Sequence, residues 1–352
     1  MKKISVNTGD RYDILIENGL LDRAGEIIAG LKQPCKVLLV TDSNVEQLYL
    51  KRAVDSLKKA GFETFSFSLP AGEEYKTLSN VEWILRAAAN KGLSRGDLFV
   101  ALGGGVVGDM CGFAASIYMR GLPFVQIPST LLSDIDSSVG GKTGCDLPQG
   151  KNLAGTFLQP LGVIIDPELL RSLAPRVFND GVAEAIKYGF IASPELLDIL
   201  ESGVTDQNIC DIIYKCCDIK RRYVEADEKE NGVRRELNFG HTIGHAVEKY
   251  YNYKTYTHGE AVAIGMAAAL SASEKLFGAD PSLKARLVEM LKKYSLPVKC
   301  EADIKELAAI CAHDKKRRGD FIDIVLIKQL GEAGIYRAPL DGLSGIFGGE
   351  AV

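Results

Sequence analysis

The chain has 352 residues, enough for two domains of ordinary size, with 46% apolar and 25% charged residues, a globular composition. Its 42 basic and 46 acidic residues leave a net charge of -4, which offers no basic footprint and argues against nucleic acid as a partner. No apolar run approaches the ~18 residues of a membrane span, and the two lysines of the opening MKKISVNTGDRYDILIENG are followed by a strand-like pattern instead of a signal-peptide core.

Taken in chain order, residues 37–41 form an apolar run of strand length. Asp42-Ser-Asn44 then starts a helix whose spacing continues over 45–59. Residues 64–69 read as a strand and 78–91 as a helix with Trp83 on its apolar face. Further strands follow at 97–102, 124–127 and 163–165. Strands alternating with helices predict an α/β fold with a covered parallel sheet. After Asp166-Pro167 helical patterns dominate, at 181–191, 194–201, 208–228, 241–249, 259–277, 281–293 and 304–311. Only 321–327 and 333–337 look like strands there. The reading is therefore a parallel-sheet domain over 1–166 and a mainly α-helical domain over 167–352. No Gly/Ser-rich linker separates them, so they are expected to pack closely, with a cleft as the default place for a site.

The eight cysteines contain no C-x-x-C pair and read as reduced thiols of a cytoplasmic protein. Strand 97–102 runs into Gly103-Gly-Gly105-Val106-Val107-Gly108-Asp109, which satisfies G-x-G-x-x-G before a helical pattern. Glycines permit close backbone approach, and free N–H groups at a helix start suit a pyrophosphate. The acid usual about 20 residues later is missing, and Asp42, after an earlier strand, is the candidate for a ribose contact. A second loop, Asp136-Ser-Ser-Val-Gly-Gly-Lys142 with Gly150-Lys151-Asn152, gathers ammonium groups, hydroxyls and a carboxylate suited to oxyanions.

Three of the four histidines, His241, His245 and His258, fall within 18 residues. His241 and His245 are one helical turn apart and share a face. Glu184 and Lys187 lie on one side of an earlier helix. Imidazoles with a carboxylate suit Zn2+ with an open position, although spacing alone leaves the three ligands unassigned. His241-Thr-Ile-Gly-His245 lacks the glutamate of a zincin-type protease. Lys220, Arg234, Asn238 and Asp314-Lys315-Lys316 are candidates for an anionic substrate, whereas Arg221, Arg222, Arg317 and Arg318 read as solvated.

These motifs, together with Ala183-Glu184-Ala-Ile-Lys187-Tyr-Gly189, Leu237-Asn238-Phe-Gly-His241 and His258-Gly-Glu-Ala-Val262, resemble the dehydroquinate synthase family over about residues 12–337. The resemblance implies a Rossmann-like NAD-binding domain followed by a metal and substrate domain. It implies Glu184, His241 and His258 as ligands of Zn2+ or Co2+, with His245 left for catalysis and phosphate contact. It implies NAD contacts from Asp42, Asn44, Glu73, Lys76, Gly105, Val106, Val107, Gly108, Asp109, Ser129 and Thr130, with Lys142 and Lys151. Arg120, Asp136, Lys142, Asn152, Lys187, Lys220, Arg234, Asn238, Lys315 and Lys316 would meet a sugar acid phosphate. The implied reaction, the second step of the shikimate pathway, releases phosphate from 3-deoxy-D-arabino-heptulosonate 7-phosphate and closes a carbocycle in a cytoplasmic homodimer. Alternatives are another sugar-phosphate cyclase and a metal-dependent polyol or glycerol-phosphate dehydrogenase. Asp134 departs from the family pattern, which usually carries glutamine there, and Leu173-Ala-Pro-Arg-Val177 departs from the frequent L-P-x-R-E.

Overall fold

The computed structural model describes residues 1–311 and 317–348. The chain packs as two compact units, one of Met1–Leu173 with Ile209–Lys229, the other of Ala174–Asn208 with the described residues from Glu230 onward. The sequence pattern suggests a single cut near residue 166. The structure divides the chain after Leu173 and returns one helix, Ile209–Ala226, to the first unit. The physical reason is that helix's apolar face, Ile212, Ile213, Cys216 and Cys217, which is buried where the helix packs on the first strand and on the turn Ser133–Ser137.

In the first unit the strands are β1 (Lys2–Val6), β2 (Tyr12–Ile16), β3 (Lys36–Asp42), β4 (Glu63–Leu69), β5 (Leu98–Gly103), β6 (Phe124–Pro128), β7 (Lys142–Leu147), β8 (Gly150–Phe157) and β9 (Gly162–Ile165). Seven form one sheet in the order β1-β2-β9-β6-β5-β3-β4, parallel except for β1 against β2. Strands β5, β6 and β9 are buried along their whole length, as expected of parallel strands covered on both faces. One face packs Leu38, Val40, Phe99 and Ala101 with Val81, Ile84, Val107 and Met110 of helices Leu78–Asn90 and Gly105–Ile117. The other packs Val37, Leu39, Leu98 and Val100 with Ile28 and Leu57 of helices Ala24–Leu31 and Lys51–Lys59. Trp83 does not join this core. Val81, Ile84 and Ala88 occupy the inward face of helix Leu78–Asn90, and Trp83, on the opposite side of the wheel, is 50% exposed.

The oxyanion loop is more ordered than its sequence suggests. Ser133–Ser137 is a helical turn, and Lys142 opens an antiparallel hairpin of β7 and β8. A Cβ on Gly144 would stand 2.5 Å from the Ala154 carbonyl oxygen, and one on Gly155 would stand 2.1 Å from that of Thr143. Only glycine lets these two strands approach so closely, and the same glycines hide the alternation that marks a strand.

The second unit is mainly helical, with helices Pro175–Ala192, Pro194–Ser202, His241–Tyr250, His258–Phe277, Ser282–Lys293, Ile304–Cys311 and a short Leu343–Phe347. A three-stranded antiparallel sheet, β10 (Arg317–Arg318), β11 (Phe321–Gln329) and β12 (Glu332–Pro339), accompanies them. No described helix is long and apolar enough to cross a membrane.

Candidate functional site

The sheet topology of the first unit creates a recognisable crevice. From β3 the chain moves outward to β4, then crosses to β5 on the other side of β3. Loops leaving the carboxyl ends of β3 and β5 therefore diverge, the usual place for a ligand in an open parallel sheet. The residues expected to contact NAD gather at these carboxyl ends. Asp42 closes β3, Glu73 and Lys76 follow β4, Gly105, Val106, Val107, Gly108 and Asp109 follow β5, and Ser129 and Thr130 follow β6. Helix Gly105–Ile117 starts at this edge, and the N–H groups of its first turn have no intrahelical partner by helix geometry. A Cβ on Gly108 would stand 2.6 Å from Gln126 Oε1, so this glycine seats the helix on β6. The Ser129 hydroxyl is buried and accepts or donates no hydrogen bond among the described residues. A nucleotide phosphate fits this donor set.

Several of these side chains hold one another. Asp42 Oδ1 accepts from the N–H groups of Asn44 and Val45 at 2.9 and 3.1 Å, capping the helix that follows. Lys76, 5% exposed, donates to Asp109 Oδ2 at 2.7 Å and to Asn152 Oδ1 at 2.6 Å. Burial alone would lower the Lys76 pKa, but the carboxylates of Asp109 and Glu73 outweigh it and hold the ammonium charged. Asn152, left-handed at φ 54, donates its backbone N–H to Asp146 Oδ1 at 2.7 Å. Lys151 pairs with Glu73 at 3.4 Å. Lys220, also buried, donates to the Asp136 carboxylate at 2.8 Å and to its carbonyl. Lys142 is exposed at the start of β7. Arg120 is exposed on the turn after helix Gly105–Ile117, where Met119 (φ 49) and Arg120 (φ 72) are left-handed, and it does not join the Lys76 network.

In the second unit, glycine again sets the geometry. A Cβ on Gly265 would lie 1.8 Å from the carbonyl oxygen of Gly240, itself left-handed at φ 81 as the residue before helix His241–Tyr250. Helices His241–Tyr250 and His258–Phe277 therefore cross with backbones nearly touching. The His241 and His258 rings come within 5.3 Å between centroids, with His245 at 5.4 and 6.2 Å from them. A capping box of Thr257 and Glu260 fixes the start of the second helix, and Arg176 grips Glu260 with two bonds of 2.7 Å. Glu184, on helix Pro175–Ala192, points into this group. Its Oε1 lies 3.7 Å from His241 Nε2 and 3.8 Å from His258 Nε2. One donor atom from each of the three residues lies within 4.8 Å of the others.

Glu184 is fully buried; Lys187 makes an ion pair with its Oε2, and its Oε1 accepts no hydrogen bond among the described residues. A buried carboxylate without hydrogen bonds is costly unless a cation completes its surroundings. His241 Nδ1 sits 3.1 Å from the Phe239 carbonyl, which selects the tautomer whose Nε2 lone pair faces Glu184. For His258, burial works against the charged ring, yet Glu248 first, then Glu184 and Asp180, push its pKa up to about 9. This environment favours positive charge, and two imidazoles with one carboxylate fit a divalent metal such as Zn2+ with a coordination position left for substrate.

Arg234, 1% exposed, and Asn238 lie on the turn Val233–Asn238, where Asn238 donates to Glu230 at 3.0 Å. Lys315 and Lys316 lie outside the described residues. Glu248 and Asp180 were not singled out in the sequence. Glu248 had a signal, since it is seven residues after His241 and shares the face of His241 and His245. Asp180, whose carboxylate accepts from Gly259 N–H, lies one turn before Glu184, just ahead of where the sequence pattern starts that helix.

Family models described as 3-dehydroquinate synthase N-terminal and C-terminal match residues 66–180 and 181–317. A 3-dehydroquinate synthase of Streptococcus sanguinis is 46% identical over 96% of this chain and 98% of its own, and one of Clostridium kluyveri is 42% identical over 97% and 96%. A solved 2-epi-5-epi-valiolone synthase of Streptomyces hygroscopicus, with NAD+ and Zn2+ bound, superposes with a TM-score of 0.88 at 26% identity over 97% of each chain.

Proposed function

This chain belongs to the 3-dehydroquinate synthase family, and from that membership we infer that it converts 3-deoxy-D-arabino-heptulosonate 7-phosphate to 3-dehydroquinate and phosphate. The observation that carries the chemistry is the buried Glu184 carboxylate, whose Oε1 is faced by the Nε2 atoms of His241 and His258 and accepts no hydrogen bond among the described residues. NAD, when bound, supplies a hydride acceptor that is regenerated within each turnover, and a divalent cation, Zn2+ or Co2+, lowers the pKa of the hydroxyl to be oxidised.

The chain's own residues bind, orient and move protons. Glu184, His241 and His258 would hold the cation. His245, on the same helical face as His241, would exchange a proton with the substrate and contact its phosphate. Lys187 beside Glu184, with Arg234 and Asn238, gives the second unit the cationic and amide donors that a carboxylate or phosphate needs. In the first unit Lys142, Lys220 and Asp136 are assigned to the same anionic substrate. Asp42, the loop Glu73–Lys76, the helix start Gly105–Asp109 and Ser129–Thr130 are assigned to NAD. The reaction oxidises the C5 hydroxyl, loses phosphate across the newly acidified C–H, reverses the oxidation, opens the ring and closes a carbocycle by an aldol step. None of the eight cysteines forms a disulfide among the described residues, which supports a reducing compartment, the cytoplasm in this reading. A homodimer is part of the proposal and is checked by sedimentation.

The experiment is phosphate release measured side by side on heptulosonate 7-phosphate, sedoheptulose 7-phosphate and glucose 6-phosphate. A site that holds the C1 carboxylate with buried cations leaves them uncompensated on a neutral sugar, so only the heptulosonate turns over efficiently. Equal or faster release from either neutral sugar phosphate overturns the substrate and leaves cyclase chemistry standing. Stoichiometric accumulation of NADH would point to a dehydrogenase.

A further inference from the structure

The two imidazoles that face Glu184 are supported differently at their far nitrogens. His241 directs Nδ1 to a backbone oxygen, that of Phe239, at 3.1 Å. His258 stands at the start of its helix. Its Nδ1 faces a side chain, Glu248 Oε1, at 3.6 Å, while its Nε2 faces Glu184 Oε1 at 3.8 Å. Glu248 is 3% exposed and sits on helix His241–Tyr250, two turns after His241. One helix thus carries His241, and also the carboxylate that addresses the second imidazole from behind.

An imidazole can give a metal only one nitrogen lone pair in its neutral form. If Nε2 is to be the donor, the proton must reside on Nδ1 and needs an acceptor. A buried carboxylate at Nδ1 fixes the tautomer, fixes the plane of the ring and makes Nε2 a stronger donor. We propose that Glu248 is the positioning residue of His258, holding its Nδ1–H so that Nε2 points at the metal held with Glu184 and His241. The inference rests on the metal-site reading given above. Glu248 touches neither substrate nor cofactor in this role and acts only through His258.

The geometry also contains a competing arrangement. His245, Glu248 and His258 form a second set with donor atoms within 4.8 Å of one another, in which Glu248 would itself be a ligand. The two roles separate cleanly. A positioning glutamate works from the far side of the ring, so its loss weakens the metal without changing which atoms bind it. A ligating glutamate changes the coordination sphere, and its partners would be His245 and His258, with Glu184 a bystander.

The test strips the full-length protein of metal and titrates it with Zn2+ against a chromophoric chelator, with Co2+ visible absorption as a second readout. Wild type is compared with Glu248→Ala, Glu248→Gln, Glu184→Gln and His245→Ala. Far-UV circular dichroism of each metal-free variant checks folding, and Glu248→Gln keeps the test alive should the alanine variant not fold. Glu248→Ala is expected to weaken Zn2+ about 10–100-fold, the usual cost of an outer-shell partner. Glu248→Gln should lose less, since its amide oxygen still accepts from Nδ1. Both should keep the wild-type Co2+ band positions and bind one equivalent. Wild-type Zn2+ affinity in both Glu248 variants, with Glu184→Gln losing metal, overturns the role of Glu248 and leaves the metal site intact. Wild-type affinity in Glu184→Gln overturns the metal-site reading itself. Metal loss in Glu248→Ala and His245→Ala together, with Glu184→Gln unaffected, places the ion in the second set and overturns both.

Discussion

Each compact unit buries a lysine against a carboxylate, and the two pairs are completed differently. In the first unit Lys76 donates to Asp109 and to Asn152, and Asn152 in turn is tied to Asp146. The loop after β4, the start of helix Gly105–Ile117 and the hairpin β7–β8 are thereby joined by a closed set of bonds. In the second unit Lys187 pairs with Glu184 Oε2, but Oε1 accepts no hydrogen bond among the described residues, and both neighbouring imidazoles turn Nε2 toward it. A buried pair whose bonds are satisfied acts as framework, whereas a buried carboxylate oxygen left without one is suited to receive a cation. Residues expected from motifs alone to touch ligands thus divide into those that hold a loop and those that present themselves to a ligand.

The largest expected effect comes from breaking the open pair. Glu184→Gln and His241→Ala should lose bound metal, measured by elemental analysis, and turnover should fall by more than the roughly 10–100-fold expected of an outer-shell change. His245→Ala should lose turnover while keeping metal. Equal metal loss in His241→Ala and His245→Ala would reverse the ligand choice.

Breaking the closed pair should show in stability. Lys76→Met leaves Asp109 without its cation, and removing one partner of a buried pair costs about 3–5 kcal/mol, less here because the Asp109 side chain is 19% exposed. Burial raises the Asp109 pKa. A carboxyl whose folded pKa is raised contributes stability at low pH that is lost as pH climbs, so the variant's deficit in urea melts should be larger at pH 8 than at pH 5. A deficit independent of pH would mean that Asp109 finds another partner.

Metal should also sharpen the contrast. Zn2+ at 100 times its dissociation constant adds about 2.7 kcal/mol to a fold that binds it only when native. The gain should appear in wild type and in Lys76→Met and vanish in Glu184→Gln. A gain retained in Glu184→Gln would place the ion elsewhere.

Much of this was legible in the sequence where chemistry is local. The glycine run after β5 and the His241, His245 spacing each sit on one turn, so their geometry follows from residue order, whereas His258 joins them only through the crossing of two helices. What was not legible depends on contacts between distant segments. The allegiance of helix Ile209–Ala226 is decided by the surfaces it covers, and helical spacing is silent on that. Trp83 reads as a core residue by type, yet Val81, Ile84 and Ala88 already fill the inward face. The hairpin β7–β8 escapes notice because Gly144 and Gly155, needed where the strands nearly touch, interrupt the alternation of a strand. Glu248 could have been found by carrying the His241 spacing one more turn.

A third buried carboxyl extends the comparison with the smallest effect. Asp134, on the turn Ser133–Ser137, is 1% exposed and neither of its carboxyl oxygens has a hydrogen-bond partner among the described residues, while its carbonyl accepts from Cys217 Sγ at 3.2 Å. Burial, with the Asp166 carboxylate adding to it, pushes its pKa well above the ordinary carboxylate value. Among the described residues no lysine answers it as Lys76 answers Asp109 and no imidazole faces it as at Glu184, so its surroundings favour the protonated form. The glutamine expected at this position from the family resemblance is neutral at every pH. The unfolded chain ionises Asp134 near pH 3.9 and the folded one does so only much higher, so the folded state holds the extra proton in between. Stability from this group is therefore greatest below about pH 4 and declines as pH rises toward the folded pKa. Asp134→Asn removes the ionisation and keeps the shape. It should stabilise the protein by on the order of 1 kcal/mol at pH 8. Its urea midpoint should converge with that of wild type near pH 4, with an unchanged denaturant slope. A constant difference across that range would show that the amide makes new bonds, and that the charge of Asp134 was never the cost.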